Sequence, residues 1–227
     1  MNFEIHGDVM QTVDVTLRAG ESVFTESGGM AWMTGDVEMS TNTRGGLVAG
    51  LARSLAGESL FMTTYICRQG EARITFTPEV PGKVVPFELG AGESLICQKD
   101  SFMVADDSVE LKIHFQKRLG AGIFGGEGFI LQRLTGPGTV LIEIPGEVRE
   151  IDLGAGDVLR VDPGHIAAFQ PAVDYDITMM RGVRNILFSG EGLFLATMKG
   201  PGKVWLQSLP LSNLAAKIAR YLPQRRG

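Results

Sequence analysis

Side chains suited to metal binding or redox work are scarce in this chain: 227 residues hold two cysteines and three histidines. Cys67 and Cys97 have no histidine near them in sequence, which excludes a zinc site built on them. Both stand in apolar, strand-like text, where a free thiol behaves as a small hydrophobe. The start, Met1-Asn2-Phe3-Glu4, lacks the basic and apolar regions of a secretory signal, so two reduced thiols in a cytoplasmic protein are expected. His6, His114 and His165 share no ligand spacing, and no metal or other cofactor is expected. No apolar run approaches the roughly 18 residues that a membrane-spanning helix needs. Basic charge is also in deficit. The net charge of −5 argues against a nucleic-acid binder, because phosphate contacts need a basic face. The bases that exist are unevenly placed: residues 211–227 hold Lys217, Arg220, Arg225 and Arg226 without an acid.

Glycine, by contrast, is plentiful at 30 residues, pointing to many tight turns. Those glycines recur in order. Leu17-Arg18-Ala19-Gly20-Glu21-Ser22-Val23 returns as Leu89-Gly90-Ala91-Gly92-Glu93-Ser94-Leu95, 72 residues on. It returns again as Leu153-Gly154-Ala155-Gly156-Asp157-Val158-Leu159, a further 64 residues on. A second marker keeps step around Glu58, Glu127 and Glu191, each in a Gly-Glu turn. A third follows at Gly70, Gly136-Pro137-Gly138 and Gly200-Pro201-Gly202. Three markers in one order, three times, predict a triplicated unit with copies at 17–88, 89–152 and 153–209.

Between the markers lie short alternating segments. Val13–Leu17, Ser22–Glu26, Met30–Met33, Asp36–Thr41, Leu60–Cys67, Ala72–Thr77 and Lys83–Leu89 read as strands, parted by Gly28-Gly29, Thr34-Gly35 and Pro81-Gly82 turns. The clearest is Val109–Phe115, with Val109, Leu111, Ile113 and Phe115 on one face and Glu110, Lys112 and His114 on the other. Asp174–Met179, Gly192–Met198 and Lys203–Gln207 continue the pattern, and Arg44–Ala56 reads as a loop. After Pro210, helical spacing of Leu211, Leu214, Ala215, Ile218 and Leu222 predicts a basic amphipathic helix and tail over 211–227, capped by Ser212 or Asn213. Strands without alternating helices make residues 1–210 a single all-β domain, an antiparallel sandwich or barrel.

Candidate chemistry is thin. Gly120-Ala121-Gly122-Ile123-Phe124-Gly125 has the letters of a dinucleotide fingerprint, but a strand rather than a helix follows, so it reads as a turn. Val161-Asp162-Pro163-Gly164-His165 is the most enzyme-like cluster, since a carboxylate three residues from an imidazole can hold a tautomer for general-base work. Asp-Pro-Gly is equally the text of a β-turn. Glu21, Glu93 and Asp157, and likewise Glu58, Glu127 and Glu191, recur in every copy, which assigns them to the turns of the fold.

Taken together, Gly20-Glu21, Gly28-Gly29-Met30, Gly57-Glu58-Ser59-Leu60-Phe61, Pro81-Gly82, Gly126-Glu127-Gly128, Val161-Asp162-Pro163-Gly164-His165 with Ala168-Phe169, Gly190-Glu191-Gly192 and Gly200-Pro201-Gly202-Lys203-Val204 resemble the altered-inheritance-of-mitochondria family. Its fold class is named after the tryptophan RNA-binding attenuation protein. The resemblance implies an all-β, antiparallel double-stranded β-helix-like fold in repeated units, assembled as a homo-oligomer, a trimer being the expected order. It implies no activity: none of the attenuator's tryptophan or RNA residues can be matched here. The expectation is therefore a non-enzymatic, self-assembling interaction or scaffold module of the cytoplasm, with itself and an unidentified protein as partners. The alternatives are a small-molecule-binding protein or hydrolase-like enzyme centred on Asp162 and His165, and peripheral membrane association through the C-terminal helix.

Overall fold

A computed structural model describes residues 1–26, 28–42, 62–117, 128–179, 194–219 and 221. Its strands are β1 (Asn2–His6), β2 (Thr12–Arg18), β3 (Ser22–Glu26), β4 (Met30–Asn42), β5 (Met62–Phe76) and β6 (Gly82–Leu89), then β7 (Ser94–Gln98), β8 (Phe102–Asp106) and β9 (Glu110–Lys117). They continue as β10 (Phe129–Thr135), β11 (Gly138–Pro145), β12 (Val148–Leu153), β13 (Val158–Val161), β14 (Ile166–Phe169), β15 (Asp174–Met179), β16 (Phe194–Lys199) and β17 (Gly202–Gln207). The helix α1 (Leu211–Ala219) follows. The strands pair antiparallel into three sheets that curl into a near-barrel.

Burial explains the strand text. In β2 the alternation is direct: Val13, Val15 and Leu17 are fully buried and Thr12, Asp14 and Thr16 only partly so. Strands β3, β7, β8 and β14 are covered on both faces, and within them Leu95–Cys97, Phe102–Ala105 and Ile166–Phe169 read as continuous apolar runs. In β7, Leu95 and Cys97 enter the cluster around Phe24, Phe102 and Ile142, whereas Ile96 points the other way, among Phe129, Phe169 and Val204. Burying Phe24, whose ring lies 5.4 Å from that of Phe102, contributes about 2–3 kcal/mol.

The ladder pattern recurs along the chain. Strand β11 lies between β6 and β8, and β17 lies between β12 and β14. Strand β10 lies between β7 and β9, and β16 lies between β13 and β15. Strand β3 pairs with β8 through Phe24 opposite Ala105, and β7 pairs with β14 through Ile96 opposite Phe169. Steps of 72 and 64 residues carry the first pair onto the second, the same steps that relate the glycine turns.

One expected turn is not a turn, and one repeat marker lies within a strand. Thr34-Gly35 lies inside β4, and Gly70 lies inside β5, so four expected strands merge into one long hairpin. Gly35 has φ +92°, and the β4–β5 register shifts on both sides of Asp36. A glycine at positive φ can close a hairpin or bulge a strand. Here the partner strand runs on past it, and the bulge wins. The helix begins as its spacing predicts, but the Pro210 carbonyl accepts from the N–H groups of Asn213 and Leu214. Ser212 and Asn213 therefore lie inside the first turn rather than at the cap. The Arg44–Ala56 loop and Gly120–Gly125 lie outside the described residues.

Candidate functional site

The acids that recur beside glycine are engaged by their own turns. Glu21 Oε2 accepts from the Arg18 N–H, Glu93 Oε2 from Gly90, and Asp157 Oδ2 from Gly154, each at 2.8 Å. The same residues return their N–H groups to those partners' carbonyls at 2.9, 3.0 and 3.1 Å. Gly20, Gly92 and Gly156 make the reversal possible at φ +86°, +80° and +88°, where a Cβ is disfavoured. Glu58, Glu127 and Glu191 lie outside the described residues.

Asp162 and His165 are brought together as the two ends of a 3-10 turn. Asp162 Oδ1 accepts from the Gly164 N–H at 2.9 Å, and the Asp162 carbonyl accepts from the His165 N–H at 2.9 Å. The His165 Nδ1 lies 2.7 Å from the Gln207 carbonyl of β17, which makes it the donor there. Gln207 Nε2 in turn donates to the Gly164 carbonyl at 2.6 Å. The carboxylate therefore caps a turn and the imidazole ties that turn to β17. The remaining histidines stay apart: His114 stacks near Tyr175 on β15, its basicity lowered by burial and then by Arg133, and His6 lies near Glu4 and Asp14. Among the described residues no cluster of three or more His, Cys, Asp or Glu could hold a metal ion.

Beside that turn, between α1 and the sheets, is a cavity of about 300 Å³. Leu211 and Ala215 of α1, Val80 and Pro145 make its apolar walls, and Glu79, Gln98, Asp100 and Glu143 bring polar groups to it. Glu143 projects from β11, where its Oε2 accepts from the Glu79 N–H at 3.0 Å. Burial pushes its carboxyl up to about 8, and the charges of Glu79, Asp100 and Glu26 add to the rise against that one hydrogen bond. Gln98 is only 5% exposed, and its Oε1 accepts no hydrogen bond from the described residues. Gln132 Oε1 on β10 is likewise unpaired, while its Nε2 donates to Glu26 Oε1 at 3.1 Å. Sequence reasoning missed this group. The available signal was a polar residue interrupting an apolar run, as in Leu141-Ile142-Glu143-Ile144 and Ile130-Leu131-Gln132.

Among the described residues seven strands, β1, β4, β6, β9, β12, β13 and β15, pair with a single strand each. The outer edge of β4 has no partner and carries Trp32, 56% exposed, and Met39, 47% exposed. Strand β13 pairs with β16 alone and shows Val158 at 48% exposure. No helix among the described residues is long and apolar enough to cross a membrane.

The geometry can be set beside known proteins. An uncharacterized protein of Streptococcus pyogenes serotype M6 is 32% identical over 219 residues, covering 93% of this chain and 86% of that one. The crystal structure of a Streptococcus pyogenes protein matches with a TM-score of 0.79 at 30% identity, covering 97% of this chain and 99% of that one. Residues 3–209 match the family described as mitochondrial biogenesis AIM24. With nearly the whole β-body inside that match, the chain belongs to the mitochondrial biogenesis AIM24 family.

Proposed function

We propose that this chain is a non-enzymatic, self-assembling interaction module of the cytoplasm, built from three copies of one β-unit and closed as a homotrimer. The observation that carries this reading is the open edge of β13. In the first copy β3 pairs with β8, and in the second β7 pairs with β14, at equivalent residues. The 64-residue step carries Ile96 of β7 to Arg160 of β13, and Arg160 faces no strand on that side among the described residues. Among the described residues β13 and β4 are two of several strands with one open edge, and such edges favour a head-to-tail contact between copies, which closes into a ring when the rotation allows. Trp32, Met33 and Met39 give the β4 side apolar area to bury.

The non-enzymatic part rests on the turn itself: Asp162 Oδ1 and His165 Nδ1 are each engaged by a backbone group. The compartment rests on two buried free thiols, Cys67 and Cys97, which a reducing milieu preserves. Within this reading, a protein partner is the remaining ligand to find.

Native mass spectrometry tests the assembly. The expected mass is three times the 24.5 kDa chain. Val158→Lys and Arg160→Pro, each placing an edge-blocking residue on β13, should give monomers that keep the wild-type β signal in circular dichroism. A monomeric wild-type chain, or an assembly indifferent to both substitutions, would remove the proposal.

A further inference from the structure

We infer that the open edge of β13 receives the first half of β4, residues 30–34, from a second copy of this chain, with Arg160 opposite Met33, Val161 opposite Trp32 and Leu159 opposite Thr34. The inference rests on the self-assembly proposed above and adds to it the seam and its register.

Strands β8, β14 and the first half of β4 occupy one position of the repeated unit. Steps of 72 and 64 residues carry Met33 to Ala105 and Ala105 to Phe169. All three show the same irregularity on the ladder to their own unit: β11 passes over Met103, β17 passes over Ala167 and β5 passes over Ala31. A bulge shared at one position marks equivalent strands independently of residue spacing. In two of the three copies the other edge of this strand is covered by the unit before it. Strand β3 pairs with β8, Phe24 opposite Ala105, and β7 pairs with β14, Ile96 opposite Phe169. Sixty-four residues beyond Ile96 stands Arg160, and 72 residues before Ala105 stands Met33. Among the described residues neither has a strand partner on that edge. The remaining single-partner edges differ: β9, β15 and the second half of β4 flank β10, β16 and β5 in the same way, so that edge is open in every copy.

Burial gives the seam its contents. Met103 and Val104 of β8 are buried in the first unit's cluster with Val15 and Val23. Ala167 and Ala168 of β14 are buried in the second unit's cluster with Leu95 and Cys97. Each of these units completes its core with two side chains from the next. The third unit has no such donor among the described residues, and its cluster around Ile177 and Met198 leaves Leu159 and Val161 only partly buried. Ala31 and Trp32 are the matching pair by position. Both are exposed, Trp32 at 56% where its counterparts Val104 and Ala168 are at 0%. Seating Ala31 and Trp32 against Leu159 and Val161 removes apolar area from water on both sides at once. Arg160 stands where Phe24 and Ile96 stand in the earlier units; its aliphatic stem can lie along Met33 while the guanidinium stays in water. A second copy of this chain is the occupant that these internal contacts describe, because it alone brings the same strand with the same bulge.

Disulfide cross-linking of full-length chains, read beside native mass spectrometry, tests the seam. Chains carrying Met33→Cys are co-expressed with chains carrying Arg160→Cys, and chains carrying Thr34→Cys with chains carrying Leu159→Cys, and each mixture is oxidised. The wild type, with Cys67 and Cys97 buried, is the blank. Successive pairs on an antiparallel ladder alternate between wide and narrow spacing, so one of the two registered pairs meets the geometry a disulfide needs. The expected result is a linked dimer on a non-reducing gel from at least one registered pair. Met33→Cys with Leu159→Cys, a register slipped by one residue, should link at least about tenfold less, because those side chains stand on opposite faces. Trp32→Lys, at a position exposed in the single chain, should give monomers with the wild-type circular dichroism. A trimer in the mass spectrum with neither registered pair linked would overturn the seam and leave self-assembly standing, whereas a monomeric wild type would remove both. Linkage confined within one chain that carries both cysteines of a pair, a slipped pair linking as well as a registered one, or a trimer indifferent to Trp32→Lys would each overturn the inference as well.

Discussion

Replacing Glu143 by Gln should make the protein more stable at alkaline pH and leave it nearly unchanged at mildly acidic pH. The side chain keeps its size, and its amide oxygen can still accept from the Glu79 N–H. Only the ability to ionise is lost. In the folded chain, burial first, then Glu79, Asp100 and Glu26, raise the carboxyl from 4.5 to about 8. The folded state therefore holds this proton more tightly than the unfolded state. Its contribution to stability is fully present below about pH 4.5 and is lost as pH rises through about 8. That interval converts to a ceiling of roughly 5 kcal/mol. Glu143 is partly exposed on a cavity that water can enter, so screening reduces the expected effect to about 2–3 kcal/mol. Urea unfolding of both proteins at about pH 5 and about pH 9 measures it, and the difference of differences cancels every other titrating group. Wild type should lose about 2–3 kcal/mol relative to the variant between the two conditions. A pH-independent gap, or wild type gaining on the variant at high pH, would refute the reasoning.

Three further outcomes are expected. Gly92→Ala should cost about 1–2 kcal/mol, because its φ of +80° disfavours a Cβ while nothing lies within 4 Å of it. Gly35→Ala, at φ +92°, should cost about 3–5 kcal/mol in the same urea assay, because its Cβ would also sit 2.7 Å from the Glu71 carbonyl oxygen and 2.8 Å from Ala72 Cα; equal costs would show that contact to be irrelevant. Cys97, fully buried, with its thiol pushed well up by burial and then by Glu26, should react with a thiol reagent only at the rate of unfolding; prompt labelling of native protein would contradict this placement.

Legibility in the sequence followed the range of the interactions involved. The face assignment of Val109–Phe115 is a period-2 property of seven adjacent residues, and Val109 and Leu111 are buried while Glu110, Lys112 and His114 are exposed. The turn at Gly92 needs only its neighbour Glu93 to reach back three residues, so residue identity sufficed. Gly35 and Gly70 show where local reading stops. Each is a sound turn residue, yet the text contains no sign that β4 and β5 continue beside one another past both. The all-buried β14, Ile166–Phe169, is four apolar letters until β7 and β17 cover its two edges.

By itself, then, the sequence determined the strand faces, the acid-capped glycine turns and the C-terminal helix, because each depends on residues within a few positions of one another. Only the tertiary structure decided that Asp162 and His165 serve a turn docked on Gln207, 42 residues away from His165. It alone gathered Gln98, Glu143 and the first turn of α1 around one cavity and left β13 without a second neighbour. The physical reason is that an unpaired acceptor, a raised carboxyl and an open edge are each defined by which distant groups arrive, and by which do not.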